Sequence, residues 1–242
     1  MMNERLRGIV LQQHKYSETS LIVKVYTETR GLQSYLIKGA FGRHSKLRPA
    51  FFQPMTFIEF VADIKSKRDL HYMSEIAIET VFYTIPFDMQ KNAIILFISE
   101  LLSKTIIEQE SNSSLFDFLH RSISWLDLSK ENFTNFHLFF CFELTRYLGF
   151  YPKLDRNENQ GFFDLMEGVF KTNAPSHGYF IEPPMSLKIK QLCLSRLEIL
   201  NEIELSNTYR HDILHEIITY YRLHLPGFNG LKSLDVLKSV FD

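Results

Sequence analysis

The sequence is poor in cysteine: among its 242 residues only Cys141 and Cys193 occur. Neither belongs to a CxxC pair and both sit among apolar residues. That excludes a disulfide scaffold and predicts two buried thiols in a reducing cytoplasm. Long apolar runs are also missing. The best stretch, 93–107, is interrupted by Glu100 and Lys104, short of the roughly 18 uncharged residues a membrane span needs. The opening string MMNERLRGIV has neither the apolar core nor the cleavage site of an export signal, so the protein is expected to stay where it is made. No GxxxxGK[ST] loop occurs, which argues against ATP-driven work, and no GxSxG marks a nucleophilic serine. At 45% hydrophobic and 23% charged residues, disordered, collagen-like and coiled-coil chains are excluded.

Net charge is nearly absent too, at −1, but the average hides a division. Residues 1–80 hold 12 basic and 8 acidic side chains, a surplus of +4, and the remainder carries −5. The segment 29–58 contains Arg30, Lys38, Arg43, Lys46 and Arg48 and no acid. Such asymmetry points to an anionic partner at the N-terminal end. Charges elsewhere are screened beyond a Debye length of about 8 Å.

Five short runs rich in β-branched and aromatic residues, 7–12, 19–27, 32–38, 55–64 and 70–82, predict strands. In the second, Leu21, Val23 and Val25 share one face and Ile22, Lys24 and Tyr26 the other, the period of 2 that a strand requires. Gly31 suits the left-handed position of a hairpin turn. The spacing predicts a small closed barrel of the OB kind over residues 1–82, with an open five-stranded sheet as the alternative. After the third run comes Lys38-Gly-Ala-Phe-Gly-Arg-His-Ser-Lys-Leu-Arg-Pro49, which combines two glycines, one aromatic and four cations. Glycines free the backbone and cations meet phosphates. Gly39-x-x-Gly42 has the length of a KH-type loop, but strands flank it where that module needs helices.

From 83 onward the pattern predicts a helical domain to residue 242, so that the whole is an α+β protein: an N-terminal OB-fold barrel followed by helices with a small β-rich insert. Helices are expected over 92–110, 114–128, 132–148, 186–201 and 207–225. Phe133, Phe136, Phe140 and Leu144 stripe the third, which Gly149 and Pro152 stop. Residues 150–184, broken by Pro175, Gly178, Pro183 and Pro184, predict an insert of short aromatic strands standing off the helices. The most enzyme-like string is His211-Asp-Ile-Leu-His215-Glu216. Histidines at i and i+4 share a helix face and could hold a metal. Asp212, however, stands where a zincin has Glu, and no further ligands can be named from spacing. His120, His137 and His177 each stand alone and are expected to be structural. A binding protein fits better than an enzyme.

Several strings, in order along nearly the whole chain, resemble the bacterial RecO family of recombination mediators. They are Gly8-Ile-Val-Leu, Tyr16-Ser-Glu18-Thr19-Ser20, Tyr26-Thr27-Glu-Thr-Arg-Gly31, Lys38-Gly39-Ala40, Ser45-Lys46-Leu47-Arg48, Leu144-x-x-Tyr-Leu-Gly149-Phe-Tyr-Pro152, Tyr220-Tyr221-Arg222 to Leu225-Pro-Gly, and Leu231-Lys232-Ser233. The resemblance implies an OB-fold, a helical body and a non-catalytic role in DNA repair and homologous recombination in the RecFOR pathway. That role comprises binding single- and double-stranded DNA, annealing complementary strands, and helping recombinase load onto strands coated by single-strand DNA-binding protein. The implied partners are DNA, RecR and the acidic, Phe-ended C-terminal tail of the coating protein; no membrane partner is implied, and the place is the cytoplasm, at the nucleoid. Many members carry two CxxC pairs after the Leu-Gly-x-x-Pro motif, where this chain has Leu154-Asp-Arg-Asn-Glu-Asn-Gln-Gly161. The insert is therefore a degenerate zinc-finger region, no zinc or other cofactor is expected, and Phe162, Phe163, Phe170, Tyr179 and Phe180 are expected to hold it. Lys38, Arg43, Lys46, Arg48, Lys65, Lys67 and Arg68 are the candidate phosphate contacts, with Tyr35, Phe41 and His44 available to stack on bases. An RNA-binding OB protein, or a metal-dependent hydrolase using His211, Asp212 and His215, remains as the alternative.

Overall fold

The computed structural model describes residues 2–41, 49–64, 69–106, 110–130, 133–154 and 161–241. They form two compact units, Met1–Asp127 and Leu128–Asp242.

In the first unit, β1 (Met2–Lys15), β2 (Leu21–Thr27), β3 (Gly31–Ile37), β4 (Phe57–Ile64) and β5 (Leu70–Ile78) close into a barrel in the order β1-β2-β3-β5-β4. This is the OB arrangement, and it excludes the open sheet. Closure depends on β1, which is long enough to pair antiparallel with β2 near one end and with β4 near the other. A register shift between Val10 and Gln12 bends it between the two. The β2–β3 hairpin turns through Gly31 at φ 60°, as predicted, and Thr27 Oγ1 donates to the Gly31 carbonyl at 2.9 Å. Gly8 is needed for packing: an added Cβ would collide with Val25 Cγ1. The inward residues of the strands, Val10, Val23, Val25, Ile58, Phe60 and Ala62, are fully or almost fully buried. A 3-10 turn, Pro49–Phe52, pushes Phe52 into the same core.

Two helices, α1 (Met89–Thr105) and α2 (Ser113–Leu128), pack with the barrel rather than with the remaining helices. Ser99 Oγ of α1 donates to the Leu11 carbonyl at 2.5 Å. From α2, His120 stacks on Phe57 at 4.5 Å and Phe116 on Tyr26 at 6.4 Å. The segment between β5 and α1 is pinned by Asp127. Its buried carboxylate accepts from the amides of Tyr83 and Thr84 at 2.8 Å and of Ile85 at 2.9 Å.

In the second unit, α3 (Phe136–Tyr147) is the central element, with Phe136, Leu138, Phe140, Cys141 and Leu144 at 0% exposure. Gly149 at φ 86° ends it, as predicted. The expected helix over 186–201 is instead α4 (Met185–Leu194) and a 3-10 turn, Leu197–Glu202, separated by extended backbone at Ser195. α5 (Asn207–His224) starts at the Ser206 cap, and α6 (Leu234–Phe241), which the periodicity did not predict, follows. Asn207 Nδ2 donates to the Phe241 carbonyl at 2.6 Å, which ties α6 to the start of α5.

The insert is a three-stranded antiparallel sheet of β6 (Phe162–Asp164), β7 (Val169–Lys171) and β8 (Phe180–Ile181), in the order β7-β6-β8. It does not stand off the helices. Phe163 packs on Tyr220 of α5 at 5.5 Å, and His224 Nε2 lies 2.9 Å from the Leu165 carbonyl. Of the aromatics expected to hold it, Phe163 and Phe170 stack at 4.7 Å and are buried, whereas Tyr179 is half exposed. The stronger tie is polar. Asp164, at 0% exposure, accepts from the amides of Met166 at 2.9 Å and Glu167 at 3.1 Å and from Lys171 Nζ at 2.8 Å. Its second oxygen lies 3.2 Å from His177 Nε2, so that histidine does not stand alone.

Candidate nucleic-acid interface

Of the residues assigned to nucleic acid from sequence, Arg43, His44, Lys46, Arg48, Lys65, Lys67 and Arg68 lie outside the described residues. Lys38, Phe41 and Tyr35 lie within them, and so do the strand ends that anchor both basic connections.

The β3–β5 pairing decides how those connections relate. The two strands run parallel, with Ser34 opposite Leu70 and Leu36 opposite Tyr72. Tyr72 comes four residues after Arg68, and Lys38 is the first cation of the β3–β4 connection. The pairing brings them together: Lys38 Nζ stands 4.6 Å from the Tyr72 ring centroid. A cation over an aromatic face is held by the ring quadrupole, which keeps the ammonium at a fixed place without neutralising it. The parallel register thus sets the cation at the exit of β3 against an aromatic of β5.

A second aromatic-cation pair lies beside the β1–β2 turn. Phe41 N donates to the Thr19 carbonyl at 3.4 Å, and Lys15 Nζ stands 5.7 Å from the Phe41 ring. Phe41 is 38% exposed, in keeping with the access that stacking needs. The turn itself is closed by Tyr16 N donating to the Ser20 carbonyl at 3.0 Å, and it presents Tyr16 at 63% exposure. Lys15 and Tyr16 were not singled out from sequence. The available signal was a lone aromatic in a polar turn between two strands. Gly39, at φ 72° with open space around it, permits the chain to leave β3 between these two pairs.

Tyr35 is a correction. It is fully buried, lies edge-on to Phe60 at 4.9 Å, and cannot stack on a base from there. The hairpin register explains why: Thr27 opposite Gly31 places Tyr35 opposite Val23, on the inward face. Burial pushes its hydroxyl well above the usual phenol range, and the oxygen has no hydrogen-bond partner among the described residues.

The histidine string of α5 does not assemble into a metal centre among the described residues, where no three His, Cys, Asp or Glu side chains group closely enough to hold an ion. His215 is exposed, with Nδ1 3.6 Å from Glu216 Oε1. His137 is buried, and burial first, then the charge of Arg210, lowers its pKa to about 3, so it is neutral. Both thiols are buried and pushed up by that burial. No helix among the described residues is long and apolar enough to cross a membrane.

Comparison with known proteins covers the whole chain. The family model for the recombination protein O N-terminal domain matches residues 1–82, and that for its C-terminal domain matches residues 86–235. A DNA repair protein RecO of Bacteroides fragilis is 40% identical over 242 residues, all of both chains. That of Flavobacterium psychrophilum is 40% identical over 99% of this chain and all of its own. The one from Porphyromonas gingivalis is 32% identical over 98% of each. The barrel falls on the first model and the helices with their insert on the second, so the chain belongs to the RecO family of DNA repair proteins.

Proposed function

We propose that the barrel binds single- and double-stranded DNA without sequence readout, and that the protein acts non-catalytically as a recombination mediator. In this reading it anneals complementary strands and helps recombinase load onto strands coated by single-strand DNA-binding protein, with RecR and the acidic tail of the coating protein as partners. The observation that carries the DNA-binding reading is the two cation-aromatic pairs of the barrel, Lys38 on Tyr72 and Lys15 on Phe41. The phosphate contacts in this reading are Lys38, Arg43, Lys46 and Arg48 of the β3–β4 connection and Lys65, Lys67 and Arg68 of the β4–β5 connection. Phe41, His44 and Tyr16 offer faces to bases. Cationic contacts with the backbone leave base edges free to pair, which annealing requires and bidentate base contacts would prevent. The −5 of the rest of the chain limits binding elsewhere.

The test is titration of labelled single-stranded DNA at several salt concentrations with Arg43→Ala/Lys46→Ala/Arg48→Ala. Each lost phosphate contact on a single strand lowers the slope of log affinity against log salt by about 0.7, so the triple variant is expected to lower it by about 2. An unchanged affinity and slope removes this connection from the interface. RNA as competitor, in the presence of the coating protein, separates a DNA mediator from an RNA-binding barrel.

Stacking has its own signature. Tyr16→Ala and Phe41→Ala are each expected to weaken single-strand binding by ~1–3 kcal/mol while leaving the salt slope unchanged. Fluorescence anisotropy at two salt concentrations measures both quantities. A changed slope with unchanged affinity in low salt would assign these rings a purely structural part.

A further inference from the structure

The first unit carries a polar pocket of about 240 Å³ that none of the contacts assigned above uses. Strand register builds it. Lys24 of β2 stands opposite Ser34 of β3, and both line the pocket. The parallel pairing of Ser34 with Leu70 sets Asp69 level with Gln33, and these two line it as well. The last turn of α1 closes one side through Ser103 and Ile106, and Ile106 with Leu32 gives a buried apolar wall. Gln33 Nε2 donates to the Arg30 carbonyl at 3.0 Å, which leaves its Oε1 as an acceptor. Two opposite charges, Lys24 and Asp69, thus share one small pocket, yet neither enters an ion pair among the described residues.

A ligand of this pocket has to satisfy both charges at once. A cationic side chain of a partner meets Lys24, and an anionic one meets Asp69. What fits is a neutral group with donors and an acceptor along one edge. Acceptors predominate: Asp69 and Gln33 accept, the Ser34 hydroxyl does either, and the C-terminal end of α1 carries partial negative charge. We propose that the pocket takes the Watson–Crick edge of one unpaired guanine, whose N1–H and 2-amino group donate to Asp69 and whose O6 accepts from Lys24. Guanine alone among the four bases sets two donors beside an acceptor on that edge; adenine and cytosine offer one amine there and thymine one imide. The volume lies below the roughly 300–1,000 Å³ of sites for drug-sized ligands, which suits one ring system and leaves sugar and phosphate outside as part of a strand. The inference rests on the DNA-binding reading and adds to it a contact that pairing abolishes. In a duplex, cytosine occupies the same edge. Annealing therefore withdraws the guanine and loosens the product, while phosphate contacts hold any sequence alike.

Fluorescence anisotropy of the full chain with thymine oligomers carrying one central guanine, adenine, cytosine or inosine reads this contact. Guanine is expected to bind about 10-fold more tightly than adenine or cytosine, and inosine, which lacks the 2-amino group, to lose most of that gain. Between the corresponding duplexes the difference should vanish. Asp69→Asn should abolish the guanine preference without weakening the plain thymine oligomer, and because Asp69 is exposed the variant should keep its thermal transition. Equal affinity for the four oligomers overturns the proposal and leaves the DNA-binding reading standing. A preference that survives Asp69→Asn does the same. If no oligomer binds, both fall. Guanosine monophosphate that erases the preference at micromolar concentration would assign the pocket to a free nucleotide and overturn its assignment to a strand.

Discussion

Asp127→Ala is expected to remove about 3–5 kcal/mol from the stability of the first unit, the largest loss from any single substitution considered for it. The carboxylate is 3% exposed and is the acceptor for three consecutive amides, Tyr83, Thr84 and Ile85, at 2.8, 2.8 and 2.9 Å. Alanine removes the acceptor of all three donors, of which that of Ile85 is buried, and an unsatisfied buried donor costs ~1–3 kcal/mol. The substitution also removes a negative charge beside Lys91. That lysine is 1% exposed, and its ammonium donates to Thr84 Oγ1 at 2.7 Å and to the Asp127 carbonyl at 3.2 Å. Burial already lowers the Lys91 pKa, opposed by Asp88 and Asp127, so the variant drives it further down. Asp127→Asn keeps one acceptor and is expected to lose less.

The pH dependence at Asp127 follows from the direction of its shift. Burial raises its pKa, but the three amides and the Thr84 hydroxyl together outweigh it and hold the carboxyl below the ordinary value. A carboxylate lowered in the folded state stabilises fully above its unfolded pKa near 4, and that contribution is lost as pH falls through the folded value. Trp125, the chain's single tryptophan, lies two residues away on α2 and reports the local transition by its fluorescence. Urea midpoints for wild type and Asp127→Ala should differ at pH 7 and converge in strong acid. Equal midpoints at pH 7 would show that water replaces the carboxylate at no cost.

The barrel was legible in the sequence because its signals are local. Alternation in β2 and a glycine at the hairpin fix which residues point inward, and the same hairpin register would have placed Tyr35 opposite Val23 had it been counted. What stayed hidden depends on contacts between distant segments. The parallel β3–β5 pairing that sets Lys38 on Tyr72 joins residues far apart in the chain and leaves no periodic trace. Nor could periodicity show that α1 and α2 pack with the barrel, because the bond that ties α1 there, Ser99 to Leu11, spans 88 residues. α6 went unpredicted for a similar reason. It has eight residues, and it is held by Phe241 packing against His137 at 5.5 Å and by the Asn207 bond rather than by its own propensity.

A buried carboxylate, Asp164, gathers the segments of the insert. Where many members of the family have two CxxC pairs, this chain has no cysteine in the segment. Hydrophobic packing of Phe163 on Phe170 fixes one side of the sheet, but stacked rings alone do not hold a turn. The Asp164 carboxylate does: it gathers the β6–β7 turn through the amides of Met166 and Glu167, strand β7 through Lys171, and the approach to β8 through His177. Like a metal ion, it is a buried charge on which separate segments converge, though its sign is opposite and its partners are donors. Asp164→Ala is therefore expected to lower the local stability of the insert by about 3 kcal/mol, because the Met166 and Glu167 amides lose their acceptor and Lys171 keeps only Glu167. Amide exchange at Met166 and Glu167 should accelerate by on the order of 100-fold, with the exchange of α3 unaffected. Burial raises the Asp164 pKa, while Lys171 and the two amides outweigh it and hold the carboxyl below the ordinary carboxylate value. The insert should accordingly be tight at neutral pH and loosen as pH falls below about 4, through the lowered value. A chelator should leave its exchange unchanged. Exchange that responds to chelator and not to Asp164→Ala would assign the insert's order to a metal instead.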